Sequence, residues 1–106
     1  MDIVKLNYEI DSLSIVFMKP HIEGNDPIFE IVIDQFDKRK KINRIIFNFE
    51  KVSYINSLGI AELISLMRYF QGFNPKAKFK FIELDKKIAK IFKMVELGNL
   101  ADIETR

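Results

Sequence analysis

The hydrophobic pattern of this chain switches repeatedly between a two-residue and a helical repeat, and that switching constrains the fold more than any other feature. Residues 3–10 alternate, with Val4, Leu6, Tyr8 and Ile10 on one side and Lys5, Asn7 and Glu9 on the other, as a half-buried strand requires. Residues 13–18 (LSIVFM) read as a second strand, and the short Asp11-Ser12 gap predicts an antiparallel hairpin. Residues 19–26 carry loop chemistry. Ile28, Phe29, Val32, Ile33 and Phe36 then recur at helical spacing. Asn25 or Asp26 is the expected cap of this helix, Pro27 suits its first turn, and the basic run near residue 40 suits its C-terminus. Residues 44–49 (RIIFNF) predict a third strand with Ile45, Phe47 and Phe49 on one face. A loop, EKVSYINS, leads into a second helix from about Leu58 to Gln71, with Ile60, Leu63, Ile64 and Met67 inward and Gly72 at its end. Residues 77–84 predict a fourth strand. Asp85 then caps a third helix that aligns Ile88, Ile91, Phe92 and Val95, Gly98 closes it, and Leu100 to Glu104 add a short terminal strand.

The resulting order is β-β-α-β-α-β-α-(β). Strand–helix alternation implies parallel pairing through right-handed crossovers. A parallel sheet covered on both faces has strands apolar throughout; these alternate, so the helices are expected mainly on one face. The expectation is an α/β fold: a mixed sheet of four to five strands with an N-terminal hairpin. The 106 residues fit a single domain, 1–106, able to bury a modest core. No linker or internal repeat divides them.

Composition removes several classes of function. The chain has no cysteine, so thiolate catalysis, disulfides and cysteine-ligated metals are excluded, and a cytoplasmic location is favoured. The single histidine, His21, gives neither a metal cluster nor an acid/base pair. No nucleotide-binding or hydrolase motif occurs, and the first strand lacks the acidic pair of a phosphoacceptor domain. No enzyme, cofactor or metal site is expected. No apolar run reaches the roughly 20 residues of a membrane helix. The net charge of +2 does not suggest a nucleic-acid binder, although Lys38, Arg39, Lys40 and Lys41, and again Lys86, Lys87, Lys90 and Lys93, form local clusters. These read as solvated helix faces, with an anionic partner or surface as the alternative.

The informative segment is Tyr54-Ile55-Asn56-Ser57-Leu58-Gly59-Ile60. It falls at a strand-to-helix junction, where free backbone N–H groups and the positive end of the helix dipole converge. Asn56 or Ser57 can cap the helix. A phosphate on Ser57 would be tolerated there and would add about −1.5 to −2 charge to a surface able to meet a partner. Gly59 is expected to let a partner or phosphate approach the first turn.

At these residues the chain resembles the STAS family, which carries an aliphatic strand, then Asp-Ser-x-Gly, then an amphipathic helix. The matching stretch is RIIFNFEKVSYINSLGIAELISLMRYF, and FKFIELDKKIAKIFKMVELGNLADI resembles the family's next strand, helix and closing Gly-x-Leu turn. The resemblance covers residues 44–103 and implies a β/α superhelix acting as an anti-sigma factor antagonist. In such systems the unphosphorylated domain binds an anti-sigma factor that is also a serine kinase. Phosphorylation of the motif serine, here Ser57, ends the complex, and a serine phosphatase restores it. The implied partner surface comprises Asn56, Ser57, Leu58, Gly59 and Ile60, with His21 and Glu23 from the loop after the second strand; the module is expected as a monomer or weak dimer. Two departures stand out. The family's acidic residue is Asn56 here, and the stretch from Lys19 to Gly24 matches poorly. Loss of the charge at position 56 keeps a second role open, that of a constitutive scaffold or accessory subunit of a transport or signalling complex.

Overall fold

The computed structural model describes residues 2–95 and 97–106. Seven strands and three helices run in the order β1 (Val4–Tyr8), β2 (Ser12–Phe17), β3 (His21–Ile22), α1 (Ile28–Gln35), β4 (Arg44–Asn48), β5 (Tyr54–Ile55), α2 (Ser57–Phe73), β6 (Lys78–Leu84), α3 (Lys86–Met94) and β7 (Asp102–Thr105). Five strands form one sheet in the order β1-β2-β4-β6-β7, and β3 pairs with β5 in a separate two-residue ladder. The hairpin β1–β2 is antiparallel, and all other pairs are parallel. The alternating strands explain the layering. Leu13, Ile15, Phe17, Ile45, Phe47, Phe79, Phe81 and Leu84 are buried beneath the helices. The intervening Arg44, Lys78 and Lys80 line a shallow open groove on the other face.

Aromatic rings fill the space between sheet and helices. Phe47 stacks on Phe81 at 5.0 Å across β4 and β6, and Phe49 meets Phe17, Phe81 and Phe92 edge-on at 5.1, 5.9 and 5.5 Å. Offset and edge-to-face pairs of this kind add about 0.5–1.5 kcal/mol each beyond area burial. The helices contribute Ile28 and Val32, then Leu63, Leu66, Met67 and Phe70, then Ile88, Ala89 and Phe92. Asp85 caps α3 as expected, accepting from the Ile88 N–H at 3.0 Å.

Several elements depart from the sequence reading. Ile10 is fully exposed, because the strand alternation ends at Tyr8 and residues 9–11 make the hairpin turn. The first helix stops at Gln35 rather than near residue 40. Phe36 turns extended, and the Asp37 N–H donates to the Tyr8 hydroxyl at 2.8 Å instead of to the helix. Arg39 hydrogen-bonds the Asp37 carboxylate from both its side chain and its backbone, holding that carboxyl below its ordinary range. The basic run is therefore a turn, not a helix end. Neither Asn25 nor Asp26 caps α1; Pro27 occupies the cap position, and Asp26 pairs with Lys19 at 3.1 Å. Gly72 lies within α2, which runs on to Phe73. Asn74 stops it by donating to the Ile42 carbonyl and accepting from the Lys76 N–H. Val95 faces solvent, and Ala89 takes the inner place it was assigned.

Candidate functional site

The junction of β5 and α2 is built by a chain of backbone bonds to the loop after β2. The Ser53 and Tyr54 N–H groups donate to the Pro20 carbonyl at 2.8 and 3.2 Å, and the Asn56 N–H donates to Ile22 at 3.2 Å. His21 lies opposite Tyr54, and Ile22 opposite Ile55. The ladder places the 20–24 loop beside the start of α2. A two-residue ladder gives almost no periodicity, so β3 and β5 leave no strand signature in the sequence.

Asn56 is the cap of α2. Its Oδ1 accepts from the Gly59 N–H at 3.0 Å, while its Nδ2 donates to the Glu23 carbonyl at 3.1 Å. One side chain thus ends the helix and fastens the neighbouring loop. Gly59 and Ile60 donate to Asn56, leaving the Ser57 and Leu58 N–H groups as the open donors of the first turn among the described residues. Ser57 is the first residue of α2 and is exposed. Its hydroxyl stands at the positive end of a 17-residue helix, where an anion is stabilised.

Leu58 is 61% exposed and Tyr54 49% exposed, so two large apolar side chains flank the serine. The His21 ring meets Tyr54 edge-on at 5.7 Å, and its Nδ1 lies 3.1 Å from a Glu23 carboxylate oxygen. The β3–β5 ladder thus brings His21, Glu23 and Tyr54 to the end of α2 that carries Ser57 and Leu58. Gly24 lies beside Leu58: its φ is +82°, and a Cβ there would lie 2.4 Å from the Leu58 Cβ. Gly24 is legible only once the loop is known to pass beside Leu58.

Two expected contact residues take other roles. Gly59 is buried and opens nothing to a partner. A Cβ at this position would sit 2.4 Å from the Ile22 carbonyl oxygen and 2.8 Å from Ile55 Cγ1. The glycine is required because α2 presses directly on the β3 backbone. Ile60 is half-buried against the core. On the next turn, Glu62 holds its Oε2 buried without a hydrogen-bond partner. Burial pushes its pKa up, with Asp26 and Glu30 adding to the effect. Among the described residues no cluster of His, Cys, Asp or Glu converges to hold a metal ion, and no helix is long and apolar enough to cross a membrane.

Comparison with solved structures places the architecture. A Thermotoga maritima protein assigned as an anti-sigma factor antagonist superposes over 97% of this chain and 86% of its own, with a TM-score of 0.74 at 14% identity. The anti-sigma factor antagonist SpoIIAA in its unphosphorylated form matches 97% of this chain and 89% of its own, at TM-score 0.69 and 18% identity. The Bacillus cell fate determinant SpoIIAA in its phosphorylated form matches 97% and 92%, at TM-score 0.62 and 17% identity. No family profile and no curated relative matches the sequence. The chain has the fold of the anti-sigma factor antagonists, the STAS-type architecture implied by the sequence resemblance.

Proposed function

We propose that this protein is an anti-sigma factor antagonist that works by partner switching. The unmodified domain docks an anti-sigma factor with serine kinase activity through Tyr54, Ser57, Leu58 and the His21–Glu23 loop. The kinase phosphorylates Ser57, the complex separates, and a serine phosphatase resets the domain. The observation that carries this reading is the exposed Ser57 at the mouth of α2, flanked by exposed Leu58 and Tyr54. The domain supplies no chemistry of its own. It offers a hydroxyl and a surface, and the phosphate ends binding by charge and desolvation at a tight contact. A loss of about 3 kcal/mol lowers affinity more than a hundredfold. Solved SpoIIAA structures of the same fold in unphosphorylated and phosphorylated forms support the reading. The test is intact mass after incubation with the cognate kinase and ATP, together with complex formation by Ser57→Asp. A gain of one phosphate at Ser57 and a lost complex are expected. No mass gain, or an undiminished complex, refutes the switch.

Asn56 favours a second reading. Its Nδ2 donates to the Glu23 carbonyl, a bond no carboxylate can make, so position 56 serves to hold the loop. A constitutive scaffold needs that rigidity and no kinase. Recovery of the same partner by wild type and Ser57→Asp would establish this role in place of the switch.

A further inference from the structure

At the far end of α2, a groove of about 550 Å³ opens between the end of α2, the turn after α1 and the start of β4. Its lining is mixed, with an apolar side from Phe36, Ile42, Ile45, Phe70 and Phe73. Phe36 meets Phe70 and Phe73 edge-on at 5.0 and 5.6 Å, and Ile42 closes the floor. Phe73 is half-exposed and so offers ring surface to the groove. The rim is cationic, made of the 38–41 run and Lys76. Asp37 pairs with Arg39 and also feels the charge of Lys40, which lies 5.2 Å over the Tyr8 ring, and Lys38, Lys41 and Lys76 complete the cationic rim.

We infer that this groove binds a single-chain amphiphile with an anionic head, of the class of long-chain fatty acid carboxylates. The apolar side takes the chain and the lysines take the head. The polar groups inside point away from a base- or sugar-reading site. Asn74 uses its Nδ2 on Ile42 and Asn43, and its Oδ1 accepts from the Lys76 N–H, so both ends of its amide are already engaged within the protein. The C-termini of α1 and α2 both approach the groove and disfavour an anion at short range. The head must therefore sit out at the lysine rim rather than at the helix ends, which gives the ligand its polarity: chain inward, charge outward. This site lies about 25 Å from Ser57, the length of the 17-residue helix between them, and does not depend on the switch.

The probes are dodecanoate and dodecyltrimethylammonium, equal in chain and opposite in charge, each kept below its micelle-forming concentration and followed by calorimetry and amide NMR. Expected is saturable one-to-one binding of dodecanoate with a Kd of about 100 µM or tighter. The shifts should centre on Phe36, Phe73 and Asn74, with at least tenfold weaker binding of the ammonium analogue. The pair K40E/K41E should weaken dodecanoate at least tenfold, and K86E/K90E, on exposed α3 lysines, less than twofold. Equal binding of both amphiphiles, or an equal loss in the α3 pair, would reduce the effect to general charge and overturn the assignment. So would binding to phosphatidylglycerol vesicles without monomer binding, or the same shifts produced by ATP. Phe73→Ser, with its fold checked by circular dichroism, should abolish the dodecanoate shifts; retained shifts would exclude the groove.

Discussion

Two glycines in one helix should respond in opposite directions to the same methyl group. Gly59 and Gly72 both lie within α2, and on helix propensity alone Gly→Ala favours the helix by about 1 kcal/mol at an interior position. At Gly72 nothing lies within 4 Å of an added Cβ. Gly72→Ala should therefore stabilise the protein by about 0.5–1 kcal/mol. At Gly59 the methyl group would meet a backbone oxygen at 2.4 Å and two carbons of Ile55 and Ile22 at 2.8 and 2.9 Å. The oxygen belongs to Ile22, whose carbonyl also receives the Asn56 N–H, so it cannot retreat without loosening the β3–β5 ladder. Overpacking of this kind costs about 1–3 kcal/mol, and the smaller propensity gain near a helix start offsets only part of it. The expected net is a loss of about 1–2 kcal/mol for Gly59→Ala. For a domain of this size 1 kcal/mol moves the melting temperature by about 4–8 °C. Gly59→Ala should melt about 5–15 °C lower than wild type and Gly72→Ala a few degrees higher, measured by circular dichroism and checked by urea unfolding. If Gly59→Ala melts at or above wild type, α2 does not rest on the β3 backbone, and the account of the site fails with it.

Asn56→Ala removes a cap and the tie to Glu23, and should cost about 1–2 kcal/mol; Asn56→Ser keeps a capping oxygen and should cost less, its remaining loss in urea unfolding measuring the loop tie. Glu62 is raised in the fold chiefly by burial, so its carboxylate opposes folding once pH exceeds the unfolded value near 4.5. Folding stability from this group is present below that pH and lost as pH rises toward its higher folded pKa. Glu62→Gln should then be more stable than wild type at pH 7, with the gap narrowing toward pH 4; a gap independent of pH would refute the assignment. Arg106 donates from Nη2 to the carbonyls of Phe49, Glu50 and Val52, and from Nε to Glu83. Arg106→Ala should cost about 1–2 kcal/mol, and Arg106→Lys should recover less than half, since one ammonium cannot span both segments.

The strands and helices long enough to show a period were legible in the sequence, as was the cap at Asp85. What failed were ends and short pieces. The first helix ends where a tyrosine from another strand takes its next N–H, a tertiary event that local pattern does not contain. Gly72 resembles a terminator, but α2 continues until Asn74 finds Ile42 and Asn43. The serine and its place at the helix mouth followed from the Asn-Ser-Leu-Gly spacing. The glycine two residues on was given the wrong role, because its reason is the Ile22 carbonyl, 37 residues earlier in the chain.

The guanidinium of Arg106 gathers three carbonyls from residues 49–52, and the Glu83 carbonyl it also holds belongs to a residue at φ 59°, within the irregular stretch of β6. The shape of the bend that leads into β5 is thus recorded partly at position 106, beside the Asn48 side chain that accepts the Glu50 N–H and the buried Phe49 and Val52. Glu50 and Lys51 point to solvent and are free to drift in sequence. Among homologous proteins, the bend should tolerate almost any pair of residues there, provided the distant arginine is kept.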